Sequence, residues 1–293
     1  MREEETRRDL GDLLASCGWR GALPSPFAHG GASELYLLDL AGGRRAVLKT
    51  PRYEARAAAE HRQIERGLAF EAAVLRAASS PFLPRLIQAD AAGRFLVREY
   101  VPGAPLSESR PQDPGLGERV SQLLDLACDL FSLFHCHRPE AYILRDLKPV
   151  NLIWGGNGVL KLVDVGSVRP VSRARARTAR REMRLGSGKW LFWAPEQLLD
   201  RARLPRESAD YFALGATAFF LLTGAAPYGN ADADPNTALQ SYLDQYSAVA
   251  SRLQQVVGER GLPESIAPFP RLCLHPLAEE RPMEIPTFPR WGW

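Results

Sequence analysis

The densest chemistry in the chain lies in Leu144-Arg145-Asp146-Leu147-Lys148-Pro149-Val150-Asn151. A carboxylate, a lysine two residues on and an amide five residues on are the parts a phosphoryl-transfer loop needs. Asp146 can orient an attacking hydroxyl and accept its proton, Lys148 can neutralise the transferring group, and Asn151 can hold a metal ion. Eighteen residues past Asp146, the run Lys161-Leu162-Val163-Asp164-Val165-Gly166 places a second carboxylate at a strand end before a glycine. A nucleotide-bridging Mg²⁺ would be gripped there. Taken singly, Asp146 and Asp164 read as turn residues; only their combination with Asn151 points to chemistry. Lysine is also scarce, with Lys49, Lys148, Lys161 and Lys189 the only ones among 37 cationic residues. Arginine enrichment of this kind fits a GC-rich genome, and it makes each lysine a better candidate for work needing a compact ammonium.

These residues need elements to hold them. Residues 1–24 read as a charged N-terminal extension, with a possible short helix from Leu10 to Cys17. Leu35 to Leu38, the Ala41-Gly42-Gly43 turn and Ala46 to Leu48 read as a hairpin. Residues 52–78 carry Leu68, Ala72, Leu75 and Ala78 at helical spacing, and strand-like runs follow at Phe82 to Gln88 and Arg94 to Val101. Beyond Pro102-Gly103, Val120 to Phe134 shows one apolar helical face, and two short strands, Leu152 to Trp154 and Val159 to Val163, flank a turn. Helices are expected from there to the end. The expected class is α+β: a small antiparallel sheet with one main helix over residues 25–102, then a larger, mostly helical part over residues 103–293, with a hinge near 101–104.

Composition sets the outer bounds. At 293 residues with 45% hydrophobic and 24% charged content, the chain is globular, of one or two domains, and large enough to need no staples. The four cysteines form no CxxC pair and no secretory signal opens the chain, so reduced thiols and a cytoplasmic location are expected. Tyr211 to Thr223 is the most apolar stretch, too short for a bilayer and interrupted by Gly215, so it reads as a buried core helix. Phe134-His135-Cys136-His137 holds its donors too close together for a tetrahedral metal site, and reads as a helix end instead.

Over roughly Phe27 to Pro282 the chain resembles the eukaryotic-type protein kinases. The catalytic loop is similar to their H-R-D-L-K-P-x-N and Asp164-Val165-Gly166 to their D-F-G. Ala46-Val47-Leu48-Lys49 resembles the V-A-I-K strand, with Glu71 at the family's distance before Pro81-Phe82-Leu83. Leu96 to Val101 looks like the hinge strand, Ala194-Pro195-Glu196 like A-P-E, and Asp210 to Gly215 like the start of the central helix. Arg281 looks like the arginine that pairs with the A-P-E glutamate. The resemblance implies a bilobal fold that uses ATP and Mg²⁺ (or Mn²⁺). It gives catalytic roles to Asp146, Lys148, Lys49 and Glu71, and metal-holding roles to Asn151 and Asp164. Nucleotide contacts are implied from Gly30, Gly31, Ser33 and Leu35 in the glycine-rich loop. Ala46, Lys49, the hinge residues Glu99 and Val101, and Ile153 are implied to complete them. Asp210 is expected to anchor the catalytic-loop backbone.

Several positions depart from that pattern. Ala28 and Ser33 stand where the family has two of its loop glycines. Leu144 replaces the histidine before Arg145-Asp146, and Val165 the phenylalanine of D-F-G; with Leu75 and Leu86 they could still form an apolar column. Arg98 occupies the position behind the adenine, where an apolar residue or threonine is usual, and needs an acidic partner such as Glu71. Residues 164–196 carry seven arginines between Arg169 and Arg184, and Lys189 stands where the family has a threonine. That segment reads as a solvated loop, a docking element for an acidic protein substrate, or one ordered by phosphorylation of Ser172, Thr178 or Ser187. No recognised nucleic-acid module accompanies it. The expected function is Mg-ATP-dependent transfer to serine or threonine hydroxyls, Lys148 favouring these over tyrosine. The alternatives are a pseudokinase acting as an interaction module and a small-molecule kinase, the latter opposed by A-P-E and Arg281.

Overall fold

A computed structural model describes residues 11, 14–15, 19, 25–29, 33–52, 58–137, 139–171, 189–198, 207–228, 235–264 and 267–282. The chain divides into two compact units, one of Met1–Pro102 with Val165–Ser167, the other of Gly103–Asp164 with Val168–Trp293.

The first unit is built on a five-stranded antiparallel sheet of order β1-β2-β3-β5-β4. Its strands are β1 (Ala28–His29), β2 (Ser33–Leu40), β3 (Arg44–Pro51), β4 (Leu86–Ala89) and β5 (Leu96–Glu99). The expected hairpin is β2–β3, closed by a 3₁₀ turn at Ala41–Gly43 in which Gly42 takes φ +77°. Strand alternation divides the side chains between two faces. Leu38, Leu40, Ala46, Leu48, Phe95 and Val97 form one apolar cluster, and Leu14, from the stretch read as an extension, is buried in it. Trp19, Tyr36 and Ile87 pack against the same cluster. Helix α1 (Ala58–Ala77) packs against β3, β4 and β5. Its start falls six residues inside the expected 52–78, while residues 53–57 lie outside the described ones.

The second unit is mainly helical. α2 (Leu116–His135) buries Val120, Leu123, Leu124, Ala127, Leu130, Phe131 and Phe134, the apolar face legible in its sequence, and starts a turn earlier than expected. β6 (Gly103–Pro105), β8 (Leu152–Gly155) and β9 (Leu160–Leu162) form a three-stranded sheet of order β6-β8-β9, and β7 (Tyr142–Ile143) pairs with β10 (Arg169–Pro170). After the short α3 (Pro195–Leu198) comes α4 (Ser208–Thr223), buried around almost its whole circumference as the apolar stretch at Tyr211–Thr223 foretold. It touches α2, α5 (Pro235–Glu259) and α6 (Pro268–Cys273). Gly215 permits the closest approach: a Cβ there would lie 2.7 Å from Cys273 Cβ and 3.0 Å from the Pro270 carbonyl. Cys128, Cys136 and Cys273 form no disulfide, and no described helix is long and apolar enough to cross a membrane.

Candidate active site

In the first unit, β3 carries Lys49 and α1 carries Glu71. Lys49 Nζ donates to Glu71 Oε2 at 2.7 Å, with side-chain exposures of 11% and 2%. Two buried opposite charges in one hydrogen bond form a rigid anchor. The β2–β3 register sets Leu35 opposite Lys49 and Leu37 opposite Val47, and the β3–β5 register sets Leu96 opposite Lys49 and Arg98 opposite Val47. Directly opposed side chains share a sheet face, so Leu35, Val47, Leu96 and Arg98 lie on the face of Lys49. Ala46 does not. It is buried in the opposite cluster, beside Leu48, so Val47 is the β3 residue that accompanies the lysine. Glu99 also has the opposite phase, paired with Ala46, and its Oε2 accepts the Arg85 backbone N–H at 3.0 Å. Ser33 and Val101 are buried in this unit. Gly30 and Gly31 lie outside the described residues.

Arg98 is 6% exposed, and its Nη1 donates to the Glu99 carbonyl at 3.3 Å. The acidic partner expected for it, Glu71, gives Oε2 to Lys49.

In the second unit the catalytic-loop residues converge on Asp146. Lys148 Nζ donates to Oδ1 at 2.5 Å and to Oδ2 at 2.6 Å. Asn151 Nδ2 donates to the Asp146 carbonyl at 2.9 Å and to Oδ2 at 3.0 Å. The Lys148 side chain is 4% exposed and that of Asp146 19%, so the carboxylate is held by a buried ammonium and stays partly exposed. The loop's own backbone is held just as firmly. Arg145 sits at φ +69°, a left-handed conformation that costs a non-glycine residue free energy and persists only where its surroundings enforce it. The enforcing group is Asp210, at the start of α4 and 0% exposed. Its Oδ2 accepts the Leu144 N–H at 2.7 Å and its Oδ1 the Arg145 N–H at 2.8 Å. The role expected for Asp210 is therefore borne out.

Sequence reading passed over two contributors. His135, at the end of α2, brings Nε2 within 2.9 Å of Asp210 Oδ2 while its ring stacks on Phe131 at 4.5 Å. It is the helix-end residue expected, but one that fixes the carboxylate. Gln197 accepts the Ala194 N–H at 2.8 Å and directs Nε2 at the Arg145 carbonyl, 3.5 Å away. An apolar helix that ends in histidine ahead of the loop was the signal for the first; Gln197 left none.

Asn151 and Asp164 are drawn together by the backbone, because the Val163 N–H donates to the Asn151 carbonyl at 2.9 Å. With its amide nitrogen engaged by Asp146, Asn151 keeps Oδ1 as its side-chain acceptor. An amide oxygen and a carboxylate are the hard donors Mg²⁺ prefers, and Mg²⁺ is commonly held by one or two protein ligands plus phosphate oxygens. The donor set therefore fits such an ion. Among the described residues no cluster of three or more His, Cys, Asp or Glu could hold a metal by itself. Ile153 is half-buried on β8, opposite Lys161.

Glu196 and Arg281 form the expected pair, bidentate at 2.6 and 3.0 Å. The remaining guanidinium donors reach the carbonyls of Ser208, His275 and Pro276. The arginine-rich run from 172 to 188, with Ser172, Thr178 and Ser187, lies outside the described residues. Leu75, Leu144 and Val165 are buried and Leu86 is half-buried.

Comparison with known proteins agrees with this geometry. Residues 29–283 match the model of the protein kinase domain. The serine/threonine-protein kinase AfsK of Streptomyces griseus is 27% identical over 89% of this chain and 30% of its own length. Serine/threonine-protein kinase PknB of Mycolicibacterium smegmatis is 27% identical over 46% of this chain and 20% of its own. Citron rho-interacting kinase of Rattus norvegicus is 30% identical over 53% and 8% respectively. The chain thus spans less than a third of each of these relatives. From the loop around Asp146, its anchor on α4 and a match running nearly end to end, the chain belongs to the eukaryotic-type serine/threonine protein kinase family.

Proposed function

We propose that this chain transfers the γ-phosphoryl group of a Mg²⁺-bound nucleotide, ATP in the first instance, to serine or threonine hydroxyls of a protein substrate. The observation that carries the reading is the Asp146 carboxylate, held by Lys148 and Asn151 and left partly exposed. In that state it can accept a hydrogen bond from an incoming hydroxyl, set the oxygen in line with the phosphorus and take up the proton. Lys148, beside it, supplies positive charge to the migrating phosphoryl group. Lys49, braced by Glu71, holds the α and β phosphates, with Val47 and Leu35 against the base and backbone groups of Glu99 and Val101 along its edge. Asn151 and Asp164 hold Mg²⁺, which when bound neutralises charge on the phosphate oxygens. A protein substrate of acidic character suits the arginines between 169 and 184. Cys128, Cys136 and Cys273 form no disulfide among the described residues, which suits a cytoplasmic setting.

The test is incorporation of radiolabel from γ-labelled ATP with Mg²⁺ by the wild type, Asp146→Ala and Lys49→Ala. Loss of incorporation in both variants is expected. Incorporation unchanged by either substitution would contradict the reading. The Arg98 bond to Glu99 favours a second reading, a pseudokinase. Its signature is ATP that raises the melting temperature with no incorporation in any form.

A further inference from the structure

We propose that Gly93, in the turn between β4 and β5, is a positioning residue for Lys49: it seats that turn against the backbone of α1 and so holds Glu71 within reach of the lysine. The consequence for phosphoryl transfer rests on the phosphate-holding role proposed above for Lys49; the geometry does not.

Gly93 is buried, although Ala91 and Ala92 before it are exposed. Its φ is +78°, and a Cβ there would lie 1.9 Å from the Glu65 carbonyl oxygen and 2.9 Å from the Ala69 nitrogen. In an α-helix those two atoms are acceptor and donor of one hydrogen bond, so the turn abuts the backbone of α1 itself. The atoms met are all backbone, which no rotamer change can move aside. The turn has little freedom to retreat. Asp90 accepts the Arg94 N–H at 3.1 Å, Arg94 Nε at 3.0 Å and Nη2 at 3.2 Å. The Gly93 N–H donates to the Asp90 carbonyl at 3.1 Å. The Asp90 N–H donates at 3.0 Å to the carbonyl of Phe95, itself buried in the apolar cluster.

A side chain at 93 therefore displaces α1 by something on the order of 1 Å, because non-bonded atoms keep roughly 3.5 Å apart. Glu71 stands two residues past Ala69 on the same helix, and its Oε2 is 2.7 Å from Lys49 Nζ. A hydrogen bond of that length does not survive a displacement of about 1 Å. Gly42 supplies an internal control. It stands in the β2–β3 turn at φ +77°, and a Cβ there would meet nothing within 4 Å. Gly42→Ala and Gly93→Ala carry the same left-handed strain, and only the second strikes α1.

The scarcity of lysine makes a direct test readable. Trinitrobenzenesulfonate labels amines in their neutral form, which a partner carboxylate suppresses, and peptide mass spectrometry reads the rate at Lys49 without nucleotide. Gly93→Ala should label Lys49 on the order of tenfold faster than the wild type, as should Glu71→Gln, with the double variant no faster than either. Gly42→Ala should label like the wild type. Phosphoryl transfer from ATP should fall on the order of a hundredfold in Gly93→Ala and stay unchanged in Gly42→Ala. Wild-type labelling or wild-type transfer in Gly93→Ala would overturn the inference and leave the kinase reading standing. So would equal acceleration in Gly42→Ala, or effects of Gly93→Ala and Glu71→Gln that multiply. The expected labelling, with no transfer by any form, would uphold the role of Gly93 and count against the kinase reading instead. Should Gly93→Ala fail to fold, Asp90→Ala serves, since it loosens the turn without placing an atom against α1. Lys49 labelling should then rise severalfold; a rate equal to that of the wild type would overturn the inference.

Discussion

Asp210 shows how much one side chain can hold. Its two oxygens terminate the Leu144 and Arg145 N–H groups and meet His135, and nothing of it is exposed. Asp210→Ala orphans two buried backbone donors and releases the left-handed Arg145. A loss of about 3 kcal/mol or more is expected in urea unfolding, together with loss of phosphoryl transfer. Lys49 and Glu71 give a second case. Lys49→Met leaves Glu71 buried beside an apolar chain and should cost about 3–5 kcal/mol. Adding Glu71→Leu should restore much of it, because the double variant removes both charges of the pair. A double-mutant cycle by denaturant melts checks this, and strict additivity would contradict it. At this scale the sequence was legible where chemistry is dense. Asp146, Lys148 and Asn151 converge as their spacing implied. Ala46 was misplaced by one position, because in a strand a shift of one residue exchanges the two faces. Alternation counted back from Lys49 leads to Val47.

Elements were legible in proportion to their length. α1, α2 and the β2–β3 hairpin carry several periods of apolar pattern, whereas β1, β6, β7 and β10 are two or three residues long and have no period to read. Their pairing is set by neighbours rather than by their own residues. The Gly215 contact is equally silent in sequence, since a helical glycine ordinarily signals only weakness. Here it admits α6 against α4. Gly215→Ala should gain helix propensity yet overpack against Cys273, for a net loss of roughly 1–3 kcal/mol; a rise in melting temperature would show that the helices give way instead. Phe212 of α4 stacks with Tyr228 and Tyr242, whose own ring centroids lie 4.2 Å apart. The Tyr228 hydroxyl donates to the Leu274 carbonyl at 2.6 Å, whereas the buried Tyr242 hydroxyl has no hydrogen-bond partner among the described residues. Tyr242→Phe should therefore be neutral or stabilising by up to about 1 kcal/mol, and Tyr228→Phe destabilising by about as much.

Over the whole molecule, the tyrosines set an alkaline limit. Burial raises the Tyr228 and Tyr242 phenols well above the ordinary 10.0. Burial, with the Glu34 carboxylate beside it, lifts Tyr36 to about 12. A raised folded value means the native state keeps protons that the unfolded chain releases above pH 10, so stability falls as pH rises through that point. Burial also raises the Cys128 and Cys273 thiols, so melting temperature should begin to decline at about pH 9 and fall further above about pH 10 as the tyrosines join, less steeply in Tyr242→Phe. A profile unchanged by that substitution would remove Tyr242 from the explanation. The charge skew towards arginine was plain in the sequence, but the bond from the buried Arg98 to the Glu99 carbonyl was not, because that depends on the fold of β5 and its neighbours.

The central claim is that Asp146 receives the proton of a serine or threonine hydroxyl as phosphate is transferred. Mass spectrometry of an acceptor protein after incubation with Mg²⁺ and ATP tests it most directly, comparing the wild type with Asp146→Asn. Phosphoserine or phosphothreonine from the wild type, reduced on the order of a hundredfold or more by the carboxamide, is the predicted result. Equal phosphorylation by the two proteins would contradict it.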